Sequence, residues 1–172
     1  MKAITVGIAA SLLLLTSCGG GGGHARSSCQ TIGSNPNFGS VIVSADNLEA
    51  MVDGNLSTFA TLYSTTPGTF VSAGGTNFPA GSNAGFFITP PPGTSATDIT
   101  VSTYLLLDSS IVETATGPTL VVTKTSSDPA SEYVSFVTKL PFNGVKLTIN
   151  TVNAPSSAQY LIYEACGSAT VR

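Results

Sequence analysis

The sequence predicts an all-β protein, an antiparallel sandwich or barrel, and two observations carry this prediction. Short runs of β-branched and aromatic residues are separated by turn residues at spacings of about 8–14 residues, and no long amphipathic helical pattern interrupts them. The clearest run lies in 99–105, where Ile99, Val101 and Thr103 alternate with polar residues. A period of two is typical of a strand that buries one face.

The other strand candidates are apolar or β-branched runs that end at turn residues. They comprise Phe38–Val43, Thr58–Tyr63, Phe70–Ser72, Gly85–Thr89, Ile111–Ala115, Leu120–Lys124, Tyr133–Lys139, Val145–Asn150 and Gln159–Ala165. Asp46–Val52 instead favours one helical turn, with Asp46 or Asn47 as its cap. Asp53-Gly54-Asn55 follows it as a turn signal.

The first residues of the chain have the organisation of an export signal. Lys2 contributes a positive charge, and Ala3 to Leu15 form an uncharged apolar run. A run of about a dozen residues is too short to cross a bilayer, which takes roughly 20. It therefore predicts the hydrophobic region of a signal peptide that covers residues 1–17.

The tetrapeptide that follows the apolar run is Leu15-Thr16-Ser17-Cys18. It resembles the lipobox of bacterial lipoproteins, in which the peptide is cut before the Cys and the thiol takes a diacylglycerol. The resemblance implies that Cys18 is lipidated and that the mature protein is held at a membrane. Each buried CH2 of an acyl chain contributes about 0.8 kcal/mol, so two or three chains make a stable anchor. The alternative is an ordinary secretory signal with a Cys at this position by chance.

The residues after Cys18 bear on where the protein is held. Gly19 stands where lipoproteins retained in the inner membrane commonly have Asp, which implies the outer membrane of a Gram-negative cell. Five glycines at 19–23 make residues 18–28 a flexible tether. A phosphate-binding loop is excluded because no strand precedes these glycines and no Gly-Lys-Ser/Thr follows them. The rest of the chain, 29–172, is expected to form a single β-sandwich domain.

Charge and composition restrict the classes of function. Without residues 1–17 the chain keeps 155 residues, enough for one domain with a core, and has five Lys and Arg against nine Asp and Glu, a formal net charge of −4. Nucleic-acid binding requires a basic face, so we expect no nucleic-acid partner. The only His of the sequence is His24, in the tether, which removes Ser-His and Cys-His nucleophile pairs from the domain.

We therefore expect the protein not to be an enzyme. A carboxylate pair of the glycoside-hydrolase kind stays open as an alternative, because nine acidic residues remain and their spacing singles out no pair. A small hydrolase is accordingly the third and most distant functional hypothesis.

The cysteine count is resolved once Cys18 is assigned to the lipid. Cys29 and Cys166 remain, and in an oxidising compartment this even pair predicts a disulfide. Two free thiols are the alternative, and a metal site is disfavoured because two cysteines lack the further ligands. In the loop-entropy account, closing a loop of more than a hundred residues stabilises the fold by roughly 4–5 kcal/mol.

Two parts of the chain carry a family resemblance. Asn47 to Leu62, N-L-E-A-M-V-D-G-N-L-S-T-F-A-T-L, resembles the early signature of discoidin-type, galactose-binding-like domains. The stretches D-I-T-V-S-T-Y-L, T-K-L-P-F-N-G-V-K-L and Y-L-I-Y-E-A-C are similar to uncharacterised modules of bacterial surface proteins, and the resemblance covers about 38–166. It implies an eight-stranded jelly-roll sandwich whose ends are bridged by terminal cysteines, which fits Cys29 and Cys166.

The same resemblance implies a calcium site. In related domains the ligands are a loop Asp, backbone carbonyls, the Thr that follows and a Glu near the final strand, all oxygen donors as hard cations require. Carried over, these are Asp53, Thr58 and Glu164. The alternative is a tight turn in which Asp53 accepts local backbone hydrogen bonds and Glu164 is an exposed strand residue.

The aromatic residues bear on glycan binding. These domains usually have Trp where this chain has Phe59, and the sequence has no Trp at all. Most aromatic side chains, Tyr104 among them, fall within strand patterns and are expected to face the core. Phe70 and Phe78 flank Gly-rich loops and are the candidates for exposure. We expect a non-catalytic, lipid-anchored envelope protein with an adhesive, binding or structural module, and a glycan-binding module is the alternative.

Overall fold

The computed structural model describes residues 27–34, 36–39, 45–63, 67–95, 98–125, 131–150 and 159–171. The predicted signal peptide, Cys18, His24 and the glycine run lie outside these residues. The described part of the chain contains β-strands and short 3-10 turns, and its strands pair antiparallel throughout. Within it, no helix is both long enough and apolar enough to span a membrane.

The strands are numbered in chain order. They are β1 (Ser28–Thr31), β2 (Asn37–Gly39), β3 (Ala45–Asp46), β4 (Ala60–Tyr63), β5 (Phe70–Phe78), β6 (Asn83–Thr89), β7 (Ile99–Tyr104), β8 (Ile111–Thr116), β9 (Val121–Lys124), β10 (Glu132–Val137), β11 (Phe142–Ile149) and β12 (Gln159–Thr170). Two 3-10 turns, Leu48–Val52 and Gly117–Thr119, lie between them.

The strands form two sheets. Sheet A has seven strands in the order β3-β4-β12-β6-β10-β9, with β1 added along the end of β12, and sheet B has five in the order β2-β5-β11-β7-β8. The predicted antiparallel sandwich is confirmed. Eight of the strands, β4-β12-β6-β10 and β5-β11-β7-β8, follow the order of a jelly roll, and each successive one lies in the opposite sheet except at the β7–β8 hairpin.

The main core lies between the two sheets, where the inward side chains of both interdigitate. On β7, Ile99 and Val101 are buried in this core while Thr100 is only partly buried, as the predicted alternation requires. On β11 the buried residues Val145, Leu147 and Ile149 alternate with half-buried ones in the same way. Sheet B therefore has one face in the core and one face turned outwards.

The centre of sheet A, around β6 and β12, is covered on both faces. Its outer face carries a second cluster of buried residues, Phe87, Tyr133, Tyr163 and Cys166, over which Leu56 packs. Phe86 lies in the main core, and because neighbouring strand residues point to opposite faces, Phe87 points to the outer cluster. This explains why β6 is buried almost continuously from Ala84 to Ile88.

The predicted disulfide is confirmed. Cys29 on β1 and Cys166 on β12 are bonded across 137 residues of chain, with their Cα atoms 5.5 Å apart. The bond holds β1 against the C-terminal half of β12, where Cys29 stands opposite Ala169. It thus ties β1, which begins at Ser28 inside the predicted 18–28 tether, to the last strand of the sandwich.

Several element boundaries differ from the sequence-based prediction. The helical turn is a 3-10 turn, and Asn47, in the left-handed conformation at φ 56°, gives it no side-chain cap because its amide donates to Phe59 O at 3.0 Å. Asp46 belongs to β3. Strand β2 begins the predicted Phe38–Val43 run, whose remainder lies outside the described residues.

Strands β5 and β12 are longer than the sequence suggested. Strand β5 runs on through Gly74 and Gly75, and β12 runs on to Thr170. Glycine weakens a strand by propensity, but Gly74 is required here, because a Cβ on it would lie 2.8 Å from Asn143 O and 3.0 Å from the Leu106 side chain. Tertiary packing therefore overrides the local signal in this segment.

Candidate functional site

We describe two candidate sites among the residues that the structure places. The first is the 53–59 loop, which runs from Asp53 to Phe59 and packs over β12. Strand β12 has a bulge opposite β6, since Ile162 pairs with Ile88 while Glu164 pairs with Phe87. A bulge re-aims side chains, and here Glu164 meets the loop.

Glu164 is fully buried, and both of its carboxylate oxygens accept hydrogen bonds. Oε1 accepts from the Thr31 hydroxyl at 2.9 Å, and Oε2 accepts from the Gly54 backbone N–H at 2.9 Å. Burial raises the pKa of Glu164 to about 7, against the lowering effect of these two donors. The alternative in which Glu164 is an exposed strand residue is therefore wrong, because the 53–59 loop and β1 cover it.

Asp53 organises the loop itself. Its Oδ1 accepts from the backbone N–H of Asn55 at 2.8 Å, and its Oδ2 accepts from the Thr58 hydroxyl at 2.7 Å. Gly54 has a φ of 75°, in the left-handed region that favours glycine, which explains the Asp-Gly-Asn signal. The structure thus brings Asp53 and Thr58 into direct contact and places Glu164 one residue away, at Gly54.

The donor chemistry of this loop fits a hard cation. Two carboxylates and a hydroxyl are the oxygen ligands that calcium takes. Each carboxylate oxygen has a second lone pair beyond the one used by its hydrogen bond. Among the described residues no group of three or more His, Cys, Asp and Glu side chains is placed to hold a metal, so backbone carbonyls and water would complete a calcium shell here.

The second place is a pocket of about 440 Å³ on the outer face of sheet B, which we call the sheet-B pocket. Its size falls within the range of small-molecule sites, about 300–1,000 Å³. It is lined by Pro36, Phe70, Ser72, Tyr104, Leu106, Ser109, Ile111 and Lys146. These residues come from β5, β7, β8, β11, the turn between β7 and β8, and the segment before β2.

Tyr104 forms part of the floor of the pocket. It stands opposite Gly144 on β11, and a Cβ on Gly144 would lie 2.3 Å from the Tyr104 ring, so the ring lies across this glycine. The Tyr104 hydroxyl donates to Ala73 O at 3.2 Å, on the next strand. One face of the ring therefore rests on the sheet while the other faces the pocket.

The β7–β8 hairpin forms one wall and is fixed in place. The Leu106 backbone N–H donates to Asn143 Oδ1 at 2.8 Å, and the Asn143 amide donates in turn to Asn77 Oδ1 at 3.2 Å. Leu105 N–H closes the hairpin by donating to Ser110 O at 3.0 Å. The wall that carries Leu106 is therefore preformed, which lowers the entropic cost of binding a ligand.

Lys146 brings a positive charge into the pocket. Its Nζ lies 3.9 Å from the centroid of the Phe70 ring, within the range of a cation–π contact. The ion pair found in the described part of the chain joins Lys124 to Glu132 instead. The Lys146 ammonium is thus positioned by an aromatic face rather than by a carboxylate.

Hydroxyl groups surround these residues on the outer face. Lys146 pairs with Ser72 on one side and with Ser102 on the other, and Ser102 pairs with Thr114, whose hydroxyl it contacts at 3.1 Å. The neighbouring row is Phe70, Thr148, Thr100 and Thr116. The face beside the pocket is accordingly rich in short side chains that both donate and accept hydrogen bonds.

The sequence-based expectation for the aromatic residues is partly wrong. Tyr104 lines the sheet-B pocket instead of the core, and Phe78 is buried and stacks on Phe142 with ring centroids 5.6 Å apart. The outward orientation of Tyr104 could have been predicted from the sequence. The alternation that turns Val101 and Thr103 inwards turns Tyr104 outwards. Phe70, expected to be exposed, is half-buried and lines the pocket.

In comparisons with known proteins, the chain matches no family model, no curated protein sequence and no solved structure.

Proposed function

We propose that this protein is a non-catalytic, lipid-anchored protein of the cell envelope whose β-sandwich binds a ligand in the sheet-B pocket. The carrying observation is the pocket itself: a preformed concavity of about 440 Å³ that combines an aromatic face, apolar walls, hydroxyls and one ammonium group. Such a mixture is typical of sites that orient a small molecule through a few polar contacts.

The anchor is proposed from the sequence. The Leu15-Thr16-Ser17-Cys18 motif and the glycine run after it support lipidation at Cys18 and a domain that stands off the membrane surface. Gly19 supports the outer membrane as its location in a Gram-negative cell.

The placement of carboxylates supports a binding role over a catalytic one. The residues that line the pocket carry apolar, hydroxyl, phenol and ammonium groups. Carboxylates outside it hold turns in place. Glu113 accepts from the Lys139 backbone N–H at 2.8 Å, and Asp98 accepts from the Ser95 backbone N–H at 2.6 Å. Engaged in this way, they contribute to loop geometry rather than to a facing acid–base pair.

A glycan is the ligand class that the pocket favours, and it is our second candidate function. A sugar ring presents an apolar C–H face and a rim of hydroxyls. The open face of the Tyr104 ring matches the first, and Ser72 with its neighbouring hydroxyl row matches the second. The same surface would serve in adhesion to envelope or host polysaccharides.

A glycan array probed with the purified, detergent-solubilised protein tests the binding function. We expect saturable binding to one class of saccharide, and we expect Tyr104→Ala to abolish it because the stacking face is removed. Tyr63→Ala is the matched control, since Tyr63 is a half-exposed tyrosine on β4 of the opposite sheet. Binding that survives in Tyr104→Ala, or that is lost equally in Tyr63→Ala, would contradict a site in the sheet-B pocket.

We propose that the 53–59 loop binds a structural calcium ion, with Asp53, Thr58 and Glu164 as its ligands. The support is that the loop gathers two carboxylates and a hydroxyl, all hard oxygen donors. Calcium would neutralise the buried Glu164 carboxylate and hold the loop to β12.

A further inference from the structure

We infer that the sheet-B pocket selects an acidic saccharide and that Lys146 is the residue that recognises its carboxylate. This inference rests on the proposed binding function of the same pocket. It adds a charge requirement that an aromatic platform and a hydroxyl row would not impose by themselves.

The pocket carries a positive charge on a protein with a negative net charge. The chain without residues 1–17 has a formal net charge of −4, yet the group that projects into this pocket is an ammonium. Among the residues that line the pocket none is acidic, so the Lys146 charge is not neutralised locally. A ligand that carries a carboxylate would therefore enter a locally positive site on a negative protein, which discriminates against neutral competitors.

Lys146 is held in position by an aromatic ring. Its Nζ lies 3.9 Å from the Phe70 ring centroid, and Phe70 itself lines the pocket. A lysine that is free in solvent loses side-chain entropy when it binds an anion. An ammonium already positioned against an aromatic face loses less, so its charge is available at a defined point of the pocket.

Lys146 and Tyr104 are diagonal neighbours on the outer face of sheet B. Lys146 pairs with Ser102, and Tyr104 is two residues further along β7 on the same face. Such diagonal neighbours have Cα atoms roughly 7–8 Å apart. A pyranose that stacks on Tyr104 therefore has its ring substituents within reach of the Lys146 ammonium, and a carboxylate on that ring can meet it.

The polar surroundings of Lys146 disfavour a simple apolar acid as the ligand. Ser72 lies beside Lys146 in the pocket, and Ser102 and Thr114 continue its row. Ser72 and Ser102 are almost fully buried, but Thr114 is exposed and Lys146 is half-buried. An aliphatic chain laid along this face would remove the Thr114 hydroxyl and the Lys146 ammonium from water without returning hydrogen bonds, which is unfavourable. A polyhydroxylated ligand replaces those hydrogen bonds, so the surroundings of Lys146 favour a saccharide over a fatty acid.

Calorimetric titration with matched probes tests the inference. The probes are oligosaccharides of uronic acids and the same oligosaccharides after reduction of their carboxyl groups, which keeps linkage and length but removes the charge. A long-chain fatty acid is the third probe. We expect the protein to bind a uronic-acid oligosaccharide roughly tenfold or more tightly than its reduced partner, with an affinity that falls as salt is added.

Variants of Lys146 test whether this residue causes the difference in affinity between the acidic oligosaccharide and its reduced partner. Lys146→Gln should lower affinity for the acidic oligosaccharide to that for its reduced partner, and Lys146→Arg should restore most of the difference. Lys139→Gln is the matched control, because Lys139 is an exposed lysine outside the pocket and should change neither affinity. Thermal melting curves of all variants verify that the fold is retained.

The outcomes separate this inference from the proposed function. Equal affinity for the acidic and reduced oligosaccharides, with both lost in Tyr104→Ala, would overturn the charge requirement and leave glycan binding in the pocket intact. Tighter binding of the fatty acid than of any saccharide would overturn the inference that the ligand is a saccharide. The pocket would still be a binding site. No binding of any of the three probes or of the glycan array would overturn both.

Discussion

The Gly54 backbone N–H donates to Oε2 of Glu164 at 2.9 Å, and this bond joins the 53–59 loop to a fully buried carboxylate on the last strand. The Thr31 hydroxyl binds the other oxygen of the same carboxylate at 2.9 Å, so Glu164 also holds β1. A buried carboxylate is stabilised by such donors but is still destabilised by the loss of water around its charge. Its protonation and the stability of the fold are therefore linked.

Stability should fall as pH rises through the titration of Glu164. The folded-state pKa of about 7 lies above the ordinary value of 4.5, so between these values the folded state binds more protons than the unfolded state. Stability contributed by the protonated form is complete below about pH 4.5 and is lost as pH rises through about 7. The difference corresponds to about 3 kcal/mol, and denaturant unfolding in EDTA at a series of pH values measures it.

Glu164→Gln should flatten this dependence, because Gln has no proton to lose while its carbonyl still accepts from Gly54. At pH 8 the variant should be more stable than the parent protein. Glu49→Gln, at an exposed residue of the first 3-10 turn, serves as the control and should leave the dependence in place. An unchanged slope in Glu164→Gln would show that other groups carry the pH dependence.

Calcium should stabilise the protein if it binds the 53–59 loop. At a concentration of about a hundred times its Kd, a ligand stabilises by about 2.7 kcal/mol, which corresponds to a rise of roughly 5–10 °C in Tm for a domain of this size. The rise should be larger at pH 8 than at pH 5, because calcium competes with the proton on Glu164. Asp53→Asn should abolish it. No change in Tm at millimolar calcium would rule out the site.

Removal of the disulfide should destabilise the fold strongly. A Cys29→Ala/Cys166→Ala double variant frees a loop closed across 137 residues, and in the loop-entropy account this costs about 4–5 kcal/mol. Denaturant unfolding of the variant and of the parent protein, each with and without reducing agent, measures the loss. The reducing agent should shift the parent towards the variant and leave the variant unchanged.

Gly144→Ala should displace the Tyr104 ring and weaken ligand binding. The new Cβ would lie 2.3 Å from the ring, and relief of such a clash typically costs about 1–3 kcal/mol. Gly167→Ala is the control, because its Cβ would clash with the core residue Phe78 at 2.1 Å, away from the pocket. Both variants should lose stability, whereas glycan affinity should fall only in Gly144→Ala. Equal affinities in the two variants would contradict a role for the ring position.

Cys18→Ala should release the protein from the membrane. Metabolic labelling with a fatty-acid analogue should mark the parent chain and leave the variant unmarked, and membrane fractionation should find the variant in the soluble fraction. Cys29→Ala controls for the loss of a cysteine as such and should remain labelled. Label retained in Cys18→Ala would contradict the lipobox assignment.

The sequence located most of the strands because their signals are local. Alternation along Ile99–Tyr104 and turn residues such as Asp53-Gly54-Asn55 need no knowledge of the rest of the chain. The extension of β5 through Gly74 was missed, since these positions are strand-like only because Leu106 and Asn143 approach them. The candidate calcium ligands were implied by the resemblance to discoidin-type domains and not by a local pattern. The structure places these three residues, Asp53, Thr58 and Glu164, around one loop.

The sequence by itself determined an all-β antiparallel fold, a sandwich or a barrel, because strand periodicity is a property of the chain. It also determined the pairing of Cys29 with Cys166, once Cys18 is assigned to the lipid and an even pair remains. Only the tertiary structure decided which side chains of different strands and loops are neighbours. It buried Glu164 beneath the 53–59 loop, and it laid Tyr104 across Gly144 beside Lys146. These neighbours are set by sheet order and register, which depend on contacts between residues far apart in sequence, and no local pattern encodes them.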